Sequence, residues 1–200
     1  MGNHLMSKYP KLVKLKNNES VSLRLLTQED LELLINFFQS LPLEDRMYLR
    51  SDVMKKKNIL RRFGNINYDI MYPILALADN KIIGIGTLFR AEFGWMRNLG
   101  EIRCVVSDKY KRKGLCTILV RELFLRAVST DLFKIQADIM EDQKSALRAF
   151  ERMGFKQEAI LKNHVTDING KRRNLVIMSL DIEELWNILE DHTHGKTYVV

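Results

Sequence analysis

The most informative stretch of the chain is residues 105–117, which combines a buried strand, a basic turn containing a glycine and the start of a helix. At a helix start, successive backbone N–H groups lack partners and the helix dipole adds partial positive charge. Lys111, Arg112 and Lys113 surround these groups with cations. Gly114 removes the side chain that would keep phosphate oxygens away from the backbone. The stretch therefore predicts a pyrophosphate-binding turn, with a solvated basic turn as the alternative.

Two other phosphate-binding motifs do not fit this chain. A nucleoside triphosphate loop requires Gly-x-x-x-x-Gly-Lys-Ser/Thr, and the sequence has none. Gly84 and Gly86 have the spacing of a dinucleotide fingerprint, but the third glycine is missing. The pair also lies inside an apolar strand pattern rather than at a helix start. The predicted pyrophosphate turn is thus of another kind.

A second motif follows about thirty residues downstream, over residues 143–155. Its apolar residues recur at helical spacing: Ala146, Ala149, Phe150 and Met153. Gly154 stands where a glycine commonly ends a helix. An ordinary amphipathic helix with a glycine stop explains each piece, but not the pairing of the two motifs at this separation.

Together the two motifs resemble the hallmarks of the GNAT superfamily of N-acetyltransferases. The acyl-CoA signature Gln/Arg-x-x-Gly-x-Gly/Ala aligns with Lys111, Gly114 and Cys116, so lysine keeps the charge and cysteine is small. The second hallmark, Asn-x-x-Ala-x-x-x-Tyr-x-x-x-Gly-Phe, aligns with residues 143–155. The resemblance covers residues 20–185 and implies that acetyl-CoA is the cosubstrate. The residues that it implies for binding acetyl-CoA are Cys104, Val105, Val106, Lys111, Arg112, Lys113, Gly114, Leu115, Cys116, Thr117, Gln143, Ala146 and Phe150.

Alternating helix and strand patterns predict an α+β fold. Strand patterns cover residues 21–26, 72–78, 81–89, 101–106, 133–140, 155–161 and 174–180; helix patterns cover 31–40, 114–129, 143–153 and 182–189, with one or two more helices in 42–65. The resemblance implies the GNAT fold: a mixed, mostly antiparallel central sheet of about six or seven strands flanked by helices, splayed at the strands before and after the CoA-binding helix. The acetyltransferase domain is predicted over 20–190, between a flexible basic tail over 1–19 and a C-terminal tail over 191–200.

The resemblance also implies catalytic groups. Acetyl transfer from a thioester to an amine requires a neutral amine, a polarised carbonyl and a stabilised thiolate. Glu101 matches the strand glutamate that serves as general base in protein-lysine acetyltransferases of this superfamily. As an alternative, Glu101 and Arg103 share a strand face and form an ordinary salt bridge. The resemblance places the N–H group that polarises the carbonyl in the backbone near residues 104–106.

The group that protonates the leaving thiolate is where the sequence departs from the family pattern. Many relatives have a tyrosine as general acid at the position of Phe150, which has no proton to give. Either water protonates the thiolate, or another group such as Tyr110 does so, or the enzyme is slow. The loss also raises an alternative function, a non-catalytic acyl-CoA-binding sensor, against which the retained Glu101 argues.

The acceptor is the least determined part of the predicted reaction. Residues 21–50 resemble the opening of the catalytic domain in bacterial protein-lysine acetyltransferases, so a protein lysine is the leading acceptor. A small amine or an amino acid is the alternative. The net charge of +7 would attract an acidic protein or an anionic small molecule and repel a polyamine. The sequence leaves homodimer formation open.

Composition sets the remaining expectations. A chain of 200 residues with 46% hydrophobic and 28% charged residues is expected to form one globular domain. Without an apolar run of membrane length or a signal-peptide core, we expect a cytoplasmic protein with no membrane partner. Cys104 and Cys116 are expected to be small buried thiols, and no metal-ligand spacing is present. The basic residues are dispersed and lack the aromatic pattern of an RNA-binding module, so no nucleic-acid partner is expected.

Overall fold

The computed structural model describes residues 9–184, which form one sheet of eight strands with helices on both faces. The strands are β1 (Lys11–Lys14), β2 (Ser20–Leu25), β3 (Met71–Ala78), β4 (Lys81–Arg90), β5 (Leu99–Val106), β6 (Lys134–Met140), β7 (Lys156–Thr166) and β8 (Arg172–Asp181). The α-helices are α1 (Leu31–Ser40), α2 (Leu43–Arg46), α3 (Lys56–Phe63), α4 (Leu115–Val128) and α5 (Lys144–Arg152). The sheet order is β1-β2-β3-β4-β5-β6-β8-β7. The α+β alternation expected from the sequence is therefore confirmed.

The pair β5 and β6 is the only parallel one within residues 9–184, and it is short. Pairing is limited to Leu99 with Lys134, Gly100 with Ile135, and Glu101 with Gln136. After these positions the two strands separate, and a gap opens between 102–106 of β5 and 137–140 of β6. This separation is the predicted splay, and it leaves one edge of β5 without a strand partner.

Helix α4 packs closely on one face of the sheet at β4 and β5. A Cβ atom on Gly86 would lie 3.1 Å from the Cβ of Leu119, and one on Gly84 would lie 3.3 Å from Cδ2 of Leu115. Both are tighter than ordinary van der Waals contact. The two glycines therefore serve helix packing within β4, which agrees with their exclusion as a dinucleotide fingerprint.

The opposite face of the sheet is covered by α1 and α3, which bury Leu34, Phe38, Ile59 and Phe63 against β3 and β4. Because side chains alternate along a strand, the odd-numbered residues of β5 face this side and the even-numbered ones face α4. Val105 packs into this core, whereas Ile102 belongs to the core under α4. Glu101 and Arg103 therefore lie on the α1 and α3 side of the sheet.

The N-terminal segment differs from the expectation of a flexible tail over 1–19. Residues 11–14 form β1, which pairs antiparallel with β2 and extends the sheet to eight strands. The strand was missed because it is a short edge strand whose side chains are mostly exposed. Residues 1–8 and the C-terminal tail at 191–200 lie outside the described part of the chain, as does most of the helix predicted at 182–189.

No helix within residues 9–184 is long and apolar enough to cross a membrane.

Candidate active site

The predicted pyrophosphate turn lies between β5 and α4. Gly114 has a φ of +87°, in the left-handed region, and is the N-cap residue of α4. Arg112 also has a positive φ of 60°, so the turn has an unusual backbone path. Since glycine has no side chain to cap the helix, the first N–H groups of this 14-residue helix remain available to a ligand.

Two lysines of the turn are held by carboxylates. Nζ of Lys111 lies 2.5 Å from Oδ1 of Asp45 and 3.3 Å from Oδ1 of Asp108. Nζ of Lys113 lies 3.2 Å from Oε2 of Glu19. The turn is thus positively charged but already partly neutralised by acidic side chains.

The segment between β1 and β2 supports the same turn. The backbone N–H of Lys16 donates to the carbonyl of Lys113 at 3.1 Å. A hydrogen bond from Tyr110, followed by one from Asn17, lowers the pKa of Glu19 to about 2. The same Glu19 contact raises the pKa of Tyr110 to about 12. Tyr110 is buried against Glu19 and does not line the cavity described next. This position does not favour the alternative in which Tyr110 protonates the leaving thiolate.

A cavity of about 250 Å³ extends from the α1 and α3 side of the sheet to the gap between β5 and β6 and on to α5. The predicted site residues that line it are Cys104, Val105, Val106, Lys111, Gln143, Ala146 and Phe150. The other predicted acetyl-CoA residues do not line it: Arg112, Lys113, Gly114, Leu115, Cys116 and Thr117. These residues belong to the turn and the first helical turn beside the cavity, so the two predicted motifs meet at one site.

Glu101 is bound by two guanidinium groups and does not itself line the cavity. Arg103 donates from Nε to Oε1 at 2.7 Å and from Nη2 to Oε2 at 3.2 Å. Nη2 of Arg50 lies 3.0 Å from Oε1 of Glu101 and 2.5 Å from Oδ2 of Asp138. The salt bridge weighed as an alternative is therefore present, and Arg50 joins it to a second carboxylate.

Asp138 is a candidate that the sequence reasoning missed. It lies on β6, two residues beyond Gln136, on the same face as Glu101, and it lines the cavity. Nε2 of Gln136 donates to its Oδ1 at 2.6 Å. The available signal was an acidic residue on the polar face of an alternating strand, next to the predicted splay.

Arg62 of α3 is a second missed residue. Its guanidinium carbon lies 5.3 Å from the ring centroid of Phe89, and that of Arg103 lies 4.6 Å from the same centroid. Arg62 has no salt-bridge partner within residues 9–184, and it lines the cavity. Burial, followed by the positive charges of Arg103 and Arg50, lowers the pKa of Arg62. Arg62 follows buried Ile59 by three residues and precedes buried Phe63, so helical spacing beside the apolar face was the signal that could have identified it.

Phe150 is buried in the cavity wall and packs edge-on against Phe155, with ring centroids 4.9 Å apart. The phenyl ring offers no proton to a thiolate. Cys104 on β5 and Cys116 in the first turn of α4 are free thiols. The neighbouring Cys116 thiol, followed by burial, raises the pKa of Cys104, and Cys104 in turn lowers the pKa of Cys116. Within residues 9–184, no cluster of His, Cys, Asp or Glu is suited to a metal ion.

Comparison with known structures gives the same class of fold. The GNAT domain of S. lividans PAT superposes with a TM-score of 0.72 at 16% identity, covering 86% of this chain and 96% of that domain. Ribosomal-protein-alanine N-acetyltransferase from Brucella melitensis gives a TM-score of 0.70 at 19% identity, covering 80% and 98%. The yncA protein from Salmonella typhimurium, solved with its cofactor acetyl-CoA, gives 0.71 at 15% identity, covering 82% and 95%.

The sequence itself matches the model of the Acetyltransferase (GNAT) family over residues 34–155, which is more than half of the chain. The chain therefore belongs to the GNAT family of acetyltransferases, which are acyl-CoA N-acyltransferases that use acetyl-CoA as cosubstrate. The matched region spans both predicted motifs and the carboxylate and guanidinium residues of the cavity. The role of each residue stays a prediction.

Proposed function

We propose that the protein transfers an acetyl group from acetyl-CoA to a primary amine by direct attack within a ternary complex. One observation carries this proposal: a single cavity connects the open edge of β5, next to the phosphate turn, with a network of carboxylates and guanidinium groups. The two halves of the cavity can hold a thioester and an amine side by side, as direct transfer requires.

The turn and the open strand edge would bind acetyl-CoA. Its pyrophosphate would lie at the N-terminus of α4, against Lys111 and the backbone of Gly114. Its pantetheine arm would then follow β5 as an added strand would. Since pairing with β6 ends at Glu101, those N–H groups within 102–106 that face the gap rather than β4 would be free to polarise the thioester carbonyl.

Glu101 is the proposed general base, reached through water or after its contact with Arg50 opens. Asp138 is a second candidate because its carboxylate lines the cavity and shares Arg50 with Glu101. A positioned base contributes about 10²-fold or more to the rate. The network thus offers two carboxylates close to the part of the cavity lined by Arg50, Arg62, Arg103 and Asp138, which we call the acceptor half.

Two isosteric variants distinguish these candidates. If Glu101 is the base, Glu101→Gln lowers kcat about 10²-fold and removes the fall in rate at acidic pH, while acetyl-CoA affinity by calorimetry changes little. If Asp138 is the base, Asp138→Asn shows these effects instead. Glu158→Gln is the matched control, because Glu158 also loses an ion pair, with Lys134 at 2.9 Å, but lies outside the cavity.

If Glu101→Gln keeps both the rate and the fall in rate at acidic pH, Glu101 is not the base and serves only in a structural ion pair. Wild-type protein that binds acetyl-CoA but acetylates none of the tested amines would refute transfer altogether. The acyl-CoA sensor would then be the remaining function.

The proposed acceptor is a lysine side chain of a protein. The resemblance of residues 21–50 to protein-lysine acetyltransferases supports it, and part of this segment, including Tyr48 and Arg50, lines the cavity. Mass spectrometry of lysine peptides and small amines incubated with acetyl-CoA tests the choice. Acetylation of small amines alone would refute the lysine acceptor.

A further inference from the structure

The acceptor half of the cavity has an excess of positive charge. Three guanidinium groups, those of Arg50, Arg62 and Arg103, lie near two carboxylates, Glu101 and Asp138, which pair only with Arg50 and Arg103. The remaining acid that lines the cavity, Asp45, is held by Lys111 and so leaves the balance unchanged; the second partner of Lys111, Asp108, is exposed and does not line the cavity. One positive charge is therefore without a counter-charge in this part of the described chain.

The excess is located at Arg62 and at one edge of Arg103. Nη1 of Arg103 is buried and has no hydrogen-bond partner within residues 9–184, although the other two nitrogens of this group bind Glu101. Arg62 and Arg103 lie over the same Phe89 ring. In the pairing of β4 with β5, Phe89 lies opposite Glu101 and Thr87 lies opposite Arg103. The two arginines over the Phe89 ring are therefore beside Glu101, the proposed base.

Such an arrangement is unfavourable without a ligand. An unsatisfied buried donor of a charged group costs free energy, and neighbouring guanidinium groups repel each other. Guanidinium donors match the planar geometry of a carboxylate, and a carboxylate bound to Arg62 would neutralise the excess charge. The Phe89 ring keeps the two groups at one wall of the cavity.

We propose that the acceptor amine carries a carboxylate and that Arg62, which lies beside Arg103 at the cavity wall, binds this carboxylate. This inference rests on the proposed acetyl transfer and narrows its acceptor. The carboxylate belongs either to a free amino acid or to an acidic residue beside an acceptor lysine, and both present the same chemistry to the arginines.

The first experiment compares acceptors with and without this carboxylate, with kcat/KM expressed per concentration of neutral amine, because a carboxamide lowers the pKa of the neighbouring α-amino group. L-α-amino acids are paired with their carboxamides, and acetyl-glutamyl-lysinamide is paired with acetyl-glutaminyl-lysinamide. We expect kcat/KM to favour the carboxylate member by about 10- to 100-fold in at least one set, as charged hydrogen bonds imply. The amino-acid set and the peptide set distinguish the two sources.

The second experiment removes the arginine. Arg62→Gln is expected to bring the carboxylate preference close to one, chiefly through KM. Arg61→Gln is the matched control: it removes the same charge from the same helix, but Arg61 is exposed and does not line the cavity. Loss of the preference in both variants would show a general charge effect and would overturn the assignment to Arg62.

Binding without turnover separates this inference from the proposed function. An N-acetylated amino acid and its carboxamide are titrated into the protein with CoA bound, and calorimetry is expected to show tighter binding of the acid in wild type but not in Arg62→Gln. Equal acetylation and equal binding of acids and amides would refute the inference while leaving acetyl transfer intact. Selective binding of acids without acetylation of any amine would support the carboxylate site and refute the transfer.

Discussion

Replacing Gly114 tests the pyrophosphate assignment most directly. The φ of +87° costs a residue with a side chain about 1–2 kcal/mol. A new Cβ would lie 3.3 Å from Cγ of Lys16, a flexible side chain that can move aside. Gly114→Ala and Gly114→Glu share both costs, so both are expected to fold with a Tm lowered by about 2–8 °C. The pair therefore isolates the effect of the added carboxylate.

The carboxylate of Gly114→Glu would lie against the bound pyrophosphate. Two unit charges about 5 Å apart repel by roughly 3 kcal/mol at an effective dielectric constant near 20, so we expect acetyl-CoA to bind at least about 100-fold more weakly than to Gly114→Ala. Calorimetry measures both affinities, and raising the salt concentration should reduce the difference.

Acetyl-pantetheine, which lacks the pyrophosphate, is the ligand control and should distinguish little between the two variants. A folded Gly114→Glu protein that binds acetyl-CoA as tightly as Gly114→Ala would refute the phosphate turn. So would an equal loss of affinity for acetyl-pantetheine, because the carboxylate would then act on some other part of the ligand.

Two further substitutions test neighbouring parts of the site. Phe150→Tyr adds a proton donor in the cavity wall, and single-turnover transfer should accelerate by up to about 10²-fold if the thiolate is otherwise protonated by water; an unchanged or slower chemical step would contradict this. Asp45→Asn frees Lys111 from its 2.5 Å contact and should tighten acetyl-CoA binding about two- to five-fold by calorimetry. Weaker binding would instead mean that Asp45 positions Lys111 for the phosphate.

The parts of the site that were predictable from sequence are those encoded by contiguous residues. The turn at 105–117 carries its strand, glycine, cations and helix start within one stretch, so its local chemistry identifies it. The splay of β5 and β6 followed from the family resemblance that this stretch carries. Element boundaries were also recovered closely, since α1 is observed at Leu31–Ser40 as expected.

The acceptor half of the cavity could not be predicted from the sequence, because its residues come from segments far apart in the chain. Arg62 lies on α3, Arg103 on β5 and Asp138 on β6. Only the sheet order and the covering helix bring them together, and neither pattern nor propensity specifies these contacts. The N-terminal strand was missed for a different reason: four mostly exposed residues at a sheet edge give too weak a periodic signal.

The network also bears on whether Glu101 is a base or a structural ion-pair residue. A structural pair needs one guanidinium group, but Glu101 contacts two, and a third, Arg62, lies beside them without an acidic partner in the described chain. An acceptor carboxylate on Arg62, beside Arg103, would compete with Glu101 for the charge of Arg103. Glu101 would then be freer to accept a proton when an anionic acceptor is in place. The salt bridge and the base would be two states of one residue, distinguished by the acceptor.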